Sequence, residues 1–153
     1  MMKKLDSCLK ESQHYNSVVS NTMSRLTRRD YTFKSGRVPL KLPKGTFVTA
    51  PATAMHLCEK NYGPDATEWK GFRFTGILAV DKNAHQAVAT NAVATNTKYL
   101  AFSHGRHVCP GRFFAVNELK MVLTYTLLRY DIRLPAIGTK GGQRIHMLLE
   151  GDR

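Results

Sequence analysis

Residues Phe102–Phe114 read FSHGRHVCPGRFF and gather one cysteine, two histidines and a Pro-Gly step. Pro110 follows Cys109 directly and suits the first position of a helix, where a missing N–H costs nothing. Cys109 would then face the partial positive end of the helix and its unpaired backbone N–H groups. Both favour thiolate over thiol, and Arg106 adds a cation three residues upstream. Gly111 removes a side chain behind the sulfur, and Gly105 lets the loop turn tightly. The combination describes an electron-rich sulfur with open space beside it, as a metal ligand or a nucleophile requires.

Several chemistries compete for this sulfur. A packed structural cysteine is common for an isolated buried thiol, but the two glycines and Arg106 argue against it. His104, His107 and Cys109 could hold zinc, and His56-Leu57-Cys58 echoes them. Neither HxxHxC nor HxC has the paired ligand spacing of structural zinc. A catalytic thiol needs a base and an orienting partner. His107 is near, but the spacing matches no local cysteine-protease signature.

The elements that must position the cysteine are legible in outline. Lys3 to Asn16 reads as a helix with Leu5, Cys8 and Leu9 as a short apolar face and Glu11 on the following turn. From Tyr31 the chain alternates: Tyr31 and Phe33 face one way, Ser35-Gly36 is a turn, and Leu42-Pro43-Lys44-Gly45 is another. Thr46 to Ala50 supplies a strand. Thr53 is placed to cap a short helix through Lys60, ended by Asn61-Tyr62-Gly63-Pro64. Asp65 to Phe74 holds the only tryptophan, Trp69, and the GFRF cluster. Residues 87–96 repeat AVATN twice, too little for a solenoid, and read as a variable loop lengthened by duplication. Pro110 to Tyr130 is the strongest helix, with Phe113, Leu119, Val122, Leu123, Leu127 and Tyr130 at helical spacing and Asn117, Glu118 and Lys120 on the polar side. A Gly141-Gly142 turn leads into Ile145 to Leu149, a final hairpin strand. The fold class is mainly α with small β hairpins, α+β.

Composition narrows the setting. With 153 residues the chain suits a single domain. Its 23 Lys+Arg against 11 Asp+Glu leave a net charge of +12, which favours acidic partners. The basic residues are scattered, with no dense run and no interleaved aromatics, so a nucleic-acid-binding module is a distant reading. Three widely spaced cysteines suggest no disulfide framework and a reducing compartment. No signal peptide is visible, and no window nears the roughly 18 apolar residues of a spanning helix. The chain reads as soluble or at most peripherally bound.

The run Phe102-Ser103-His104-Gly105-Arg106-His107-Val108-Cys109-Pro110-Gly111 resembles the haem-binding loop of the cytochrome P450 monooxygenases. That loop has the pattern F-x-x-G-x-R-x-C-x-G, and each fixed position is met. GRHVCPGRFFAVNELK is similar to fungal members of the family, and GTFVTAPATAMHL resembles the family's strands and short helix. The resemblance implies that Cys109 is the proximal thiolate of haem b, a ligand that favours O–O cleavage. It further implies that Arg106 holds a haem propionate, that Phe102 packs beside the ligand loop with Gly105, and that Gly111 shapes the proximal face. Arg25, in Met23-Ser24-Arg25-Leu26, is either a second propionate contact or a solvated arginine.

The family's second signature, E-x-x-R completed by a later arginine, is met at Glu11 and at Arg73 in Gly71-Phe72-Arg73-Phe74. His14 stands where the nearer arginine belongs. Histidine lacks the planar fork that grips a carboxylate and is only partly charged near neutral pH, so Glu11 is expected to rely mainly on Arg73. By the same resemblance residues 1–153 form a partial domain: the Glu-bearing helix, strands, short helix, meander, ligand loop, long helix and C-terminal hairpin. The N-terminal majority, its membrane anchor and the distal acid–alcohol pair have no counterpart, so no catalytic residue beyond the iron ligand is expected. The parent reaction inserts one atom of O2 into a small organic substrate with electrons from an acidic NADPH-dependent reductase, for which a basic surface is suited. Full-length relatives sit at the endoplasmic reticulum membrane; a chain without an anchor is expected to be soluble or cytoplasm-facing. The alternative is a non-catalytic remnant that keeps the ligand loop without activity.

Overall fold

The computed structural model describes residues 2–34, 38–76, 91–133 and 146–148. Helix α1 spans Lys3–Tyr15, followed by strands β1 (Thr22–Leu26), β2 (Tyr31–Phe33), β3 (Leu40–Leu42) and β4 (Phe47–Ala50). Three short helices come next, α2 (Ala52–His56), α3 (Glu59–Tyr62) and α4 (Arg73–Gly76). A single 3₁₀ turn covers Gly105–His107 before α5 (Arg112–Arg129), β5 (Asp131–Arg133) and β6 (His146–Leu148). The chain divides into two compact units, Met1–Pro110 and Gly111–Arg153.

In the first unit β1 pairs antiparallel with β4, and β2 with β3. One extra residue is accommodated in β1 between Thr22 and Arg25, where Met23 takes a left-handed φ of 57°. That is a β-bulge, and a non-glycine residue there carries local strain. The Pro43–Thr46 turn closes with the Thr46 N–H donating to the Pro43 carbonyl at 3.2 Å, and Gly45 supplies the positive φ of 85°. The hydroxyl of Thr27 donates to the same carbonyl at 2.6 Å. This turn agrees with the sequence reading; Ser35-Gly36 and Gly141-Gly142 lie outside the described residues.

The sequence assigns α1 an apolar face of Leu5, Cys8 and Leu9, and the structure corrects this. The buried side consists of Asp6, Ser7, Leu9, Lys10, Glu11 and His14, while Leu5 and Cys8 are half-buried. Residues three and four apart share a helix face, and here that face is almost wholly polar. Its groups hold other segments by hydrogen bonds. Ser7 Oγ accepts the Phe74 N–H at 3.0 Å, and Asp6 Oδ1 accepts the Ala92 N–H at 3.2 Å. The Lys10 ammonium lies 4.9 and 4.6 Å from the ring centroids of Phe74 and Tyr99, within cation–π range. Burial lowers its pKa to about 8, partly opposed by Asp6.

Other boundaries differ as well. The helix anticipated from Thr53 to Lys60 is two helices broken at Leu57-Cys58, and Pro51, not Thr53, precedes the first. The second AVATN copy is not slack. Ala92 is fully buried, and Asn96 Oδ1 accepts the backbone N–H groups of Lys98 and Tyr99 at 2.7 and 2.8 Å. This side-chain turn orients Tyr99 inward.

In the second unit α5 begins at Arg112 with Gly111 as its cap residue, so Pro110 lies before the helix and not at its first position. Among the described residues of α5 only Val116 is buried, and Phe114, Met121, Val122, Leu127 and Leu128 are all exposed. Strand β6 pairs antiparallel with β5, a strand that periodicity did not reveal.

Among the described residues Tyr99 is the largest fully buried side chain, and its hydroxyl reaches Gln13 Oε1 at 2.8 Å and the Lys10 carbonyl at 3.2 Å. Tyr99→Phe should lower stability by about 1–2 kcal/mol, read as a lower urea midpoint at unchanged slope. An unchanged midpoint would show that the hydroxyl holds nothing.

Candidate functional site

Glu11 projects from the middle of α1 with no solvent exposure. Arg73 Nε, at the start of α4, donates to both of its carboxylate oxygens at 3.1 Å, and the Lys70 backbone N–H donates to Oε1 at 2.6 Å. The rest of the guanidinium is also matched. Nη1 donates to Asp65 Oδ1 at 2.9 Å, and Nη2 donates to the carbonyls of Asp65 and Glu68 at 2.7 Å each. Hydrogen bonds from Lys70 and Arg73 pull the Asp65 carboxyl down to about 2. Hydrogen bonds and charge from Asp65 and Glu11 raise the Arg73 pKa against its desolvation. The structure thus joins α1, the 65–70 turn and α4 through one guanidinium.

His14 lies one helical turn from Glu11, with Nδ1 3.5 Å from Glu11 Oε2. Neither ring nitrogen makes a hydrogen bond among the described residues. The ring sits instead in an aromatic box, 4.5 Å from the Tyr62 ring, 5.9 Å from Phe74 and 5.9 Å from His56. Burial, then the Arg73 charge, lowers its pKa to about 4. His14 is therefore neutral at pH 7, not partly charged, and packs as an aromatic ring. His56 is also fully buried and pushed to about 4, by burial and then by His14.

The other sequence-derived residues lie on one loop or on a strand tied to it. The Cys109 N–H donates to the Phe102 carbonyl at 2.9 Å, and the Val108 N–H to the Gly105 carbonyl at 3.1 Å. Gly105 takes a φ of 72°, and Ser103, at 62°, shares that strained region. Arg106 and Cys109 are exposed, and Cys109 is in no disulfide. Thr22, at the start of β1, bonds Ser103 of this loop, Oγ1 to Oγ, at 2.6 Å. Arg25 lies three residues further along β1, exposed, with Nη1 donating to the Ser24 carbonyl at 2.7 Å.

The donor set fits a haem. It offers a single exposed thiol on a loop closed by backbone hydrogen bonds and an exposed guanidinium three residues away. Space is open where a side chain on Gly105 or Gly111 would begin. The zinc reading finds no support: among the described residues no group of three or more His, Cys, Asp or Glu could hold a metal. His104 Nδ1 lies 3.4 Å from Thr95 Oγ1. No described helix is long and apolar enough to cross a membrane. Spacing missed Tyr62, Asp65 and Tyr99, and flagged His56 only as an echo of a metal pattern.

The buried imidazoles set a pH dependence. Free histidine titrates near 6.5, and both are held at about 4 here, so the unfolded chain binds more protons between those values. The contribution of these two groups to stability is full above pH 6.5 and is lost as pH falls towards 4. Urea midpoints measured from pH 7.5 to 4.5 should decline with the uptake of up to two protons, and H14Q/H56Q should flatten the decline. An equal decline in that variant would assign it to other groups.

The family model for cytochrome P450 matches residues 1–143. Cytochrome P450 monooxygenase 151 of Postia placenta is 45% identical over 141 residues, covering 91% of this chain and 27% of the relative. Cytochrome P450 monooxygenase atmQ of Aspergillus flavus is 40% identical over 132 residues, covering 86% of this chain and 24% of the relative. Cytochrome P450 monooxygenase penQ of Penicillium crustosum is 37% identical over 139 residues, covering 91% and 26%. The chain thus spans about a quarter of the length of the curated relatives it matches. A family match over nearly the whole length, in a chain with the Cys109 loop and the Glu11–Arg73 centre, makes this protein a member of the cytochrome P450 family.

Proposed function

We propose that this chain is the haem-ligating portion of a cytochrome P450 monooxygenase domain, with Cys109 as the axial thiolate ligand of haem b. The observation that carries the reading is the Cys109 loop itself: its backbone N–H is held by the Phe102 carbonyl while its side chain remains exposed. When bound, haem supplies the activation of O2 and the insertion of one oxygen atom into an organic substrate, with electrons from a reductase. Cys109 offers the sulfur. Phe102 and Gly105 shape the loop that presents it, and Gly111 leaves room beside it. Arg106 and Arg25 carry the cations for the propionates. Glu11 and Arg73 keep the supporting helix and turn together. The net charge of +12 suits an acidic, NADPH-dependent reductase.

A second reading, a haem-binding or interaction portion without activity, is favoured by α5. Its apolar residues Phe114, Met121, Val122 and Leu128 are exposed among the described residues, and exposed apolar patches are characteristic of interaction surfaces. The two readings share Cys109 and differ in turnover. Titrated with haem, reduced and exposed to CO, the chain should give a thiolate-type Soret band of low occupancy, which Cys109→Ala abolishes. A band that survives this substitution would move the ligand elsewhere. Substrate oxidation with an added reductase would remove the second reading.

A further inference from the structure

The segment that leads into Cys109 is pinned by one buried imidazole. The Leu100 N–H donates to His56 Nε2 at 2.8 Å. A backbone N–H can only donate, so Nε2 is the unprotonated nitrogen and Nδ1 carries the hydrogen. That hydrogen is directed at Ser17 Oγ, 2.9 Å away, just past the end of α1. Ser17 Oγ in turn lies 3.4 Å from the Gln13 carbonyl within α1, a fitting acceptor for its own proton. The ring has no solvent exposure and stacks on Tyr99, with centroids 5.0 Å apart and planes 14° apart. Both nitrogens are used, and the tautomer is fixed by its surroundings.

Beyond Leu100 the backbone closes into a series of turns. The Leu100 carbonyl accepts the Ser103 N–H at 2.9 Å, and the Phe102 carbonyl accepts the Cys109 N–H at 2.9 Å. A displacement of Leu100 therefore passes to Phe102 and from there to the amide of Cys109. We propose that His56 is the positioning residue of the Cys109 loop. Locked as the Nδ1–H tautomer, it ties the loop's entry to the end of α1 and so fixes where the sulfur is presented. His56 does not touch the ligand; it acts through Leu100 and Phe102. The part that concerns haem rests on the reading of Cys109 as ligand, whereas the loop anchoring does not.

Two variants separate the contributions. His56→Gln keeps an acceptor within reach of the Leu100 N–H and gives up the Ser17 bond, whereas His56→Leu gives up both. Amide hydrogen exchange of the 153-residue chain, without haem, reads the anchoring directly. His56→Leu should raise exchange across residues 100–109 by about tenfold or more while the β2–β3 hairpin is unchanged. His56→Gln should raise it there by about threefold, between wild type and His56→Leu. With haem added, His56→Leu should broaden or lose the thiolate-type band and His56→Gln should keep it. Unchanged exchange at 100–109 in His56→Leu would overturn the proposal. If His56→Leu unfolds the whole chain, His56→Gln decides alone: a rise in exchange at 100–109 with the β2–β3 hairpin unchanged supports the proposal, and wild-type exchange there overturns it. A wild-type chain that takes up no haem would count against the haem reading, and the exchange result would still decide the anchoring.

Discussion

Glu11 puts a carboxylate where there is no solvent, and a charge in such a place persists only when it is paired and hydrogen-bonded. Arg73 and the Lys70 amide meet that demand with three short bonds, and Arg73 is itself completed by Asp65 and Glu68. Neither member tolerates loss of the other, because removing one partner of a buried pair typically costs about 3–5 kcal/mol. The path of the 65–73 segment over α1 is thereby dictated by electrostatics and not by an apolar seam. The same helix face fixes the Phe74 amide through Ser7, the Ala92 amide through Asp6 and the Tyr99 ring through Lys10. A short helix with one buried leucine on this face becomes the scaffold of its unit by satisfying other segments' polar groups.

His14 shows how the site absorbs a departure from the family's pattern. A second arginine would bring a charge and a fork of donors; the imidazole brings neither and is held neutral. Its two nitrogens are without hydrogen bonds among the described residues, and an unsatisfied buried group costs about 1–3 kcal/mol. Edge-on contacts with Tyr62 and Phe74 offset part of that. The result is a Glu–Arg centre resting on one guanidinium and one backbone amide, beside a pair of imidazoles that resist protonation. The Cys109 loop and the residues leading into it are held by further hydrogen bonds: His56 of α2 accepts the Leu100 N–H, Thr22 of β1 bonds Ser103, and the Tyr99 hydroxyl reaches the Lys10 carbonyl of α1.

Much of this was legible in the residues, but unevenly. The Cys109 loop and the residues of the Glu–Arg centre announce themselves because their chemistry is local or their pattern is shared with a family. The extents of α1 and α5 follow from periodicity to within two residues. The buried face of α1 does not, because hydropathy assigns Asp6, Lys10 and Glu11 to solvent and no one-dimensional pattern encodes their distant partners. Strands β1 and β5 escape for a similar reason: they are short, and their register is set by a bulge or by a partner far along the chain. The second AVATN copy looks redundant in sequence, yet Asn96 folds a turn that aims Tyr99 into the core.

The most direct test of the account is whether the Glu11–Arg73 pair governs the Cys109 amide at a distance. A double-mutant cycle of Glu11→Gln and Arg73→Lys, read by hydrogen exchange at the Cys109 amide, isolates that coupling. Each single variant and the double should lose similar protection there, with no further loss when the changes are combined. Protection that stays at the wild-type level at Cys109, while the Phe74 amide opens, would contradict the account.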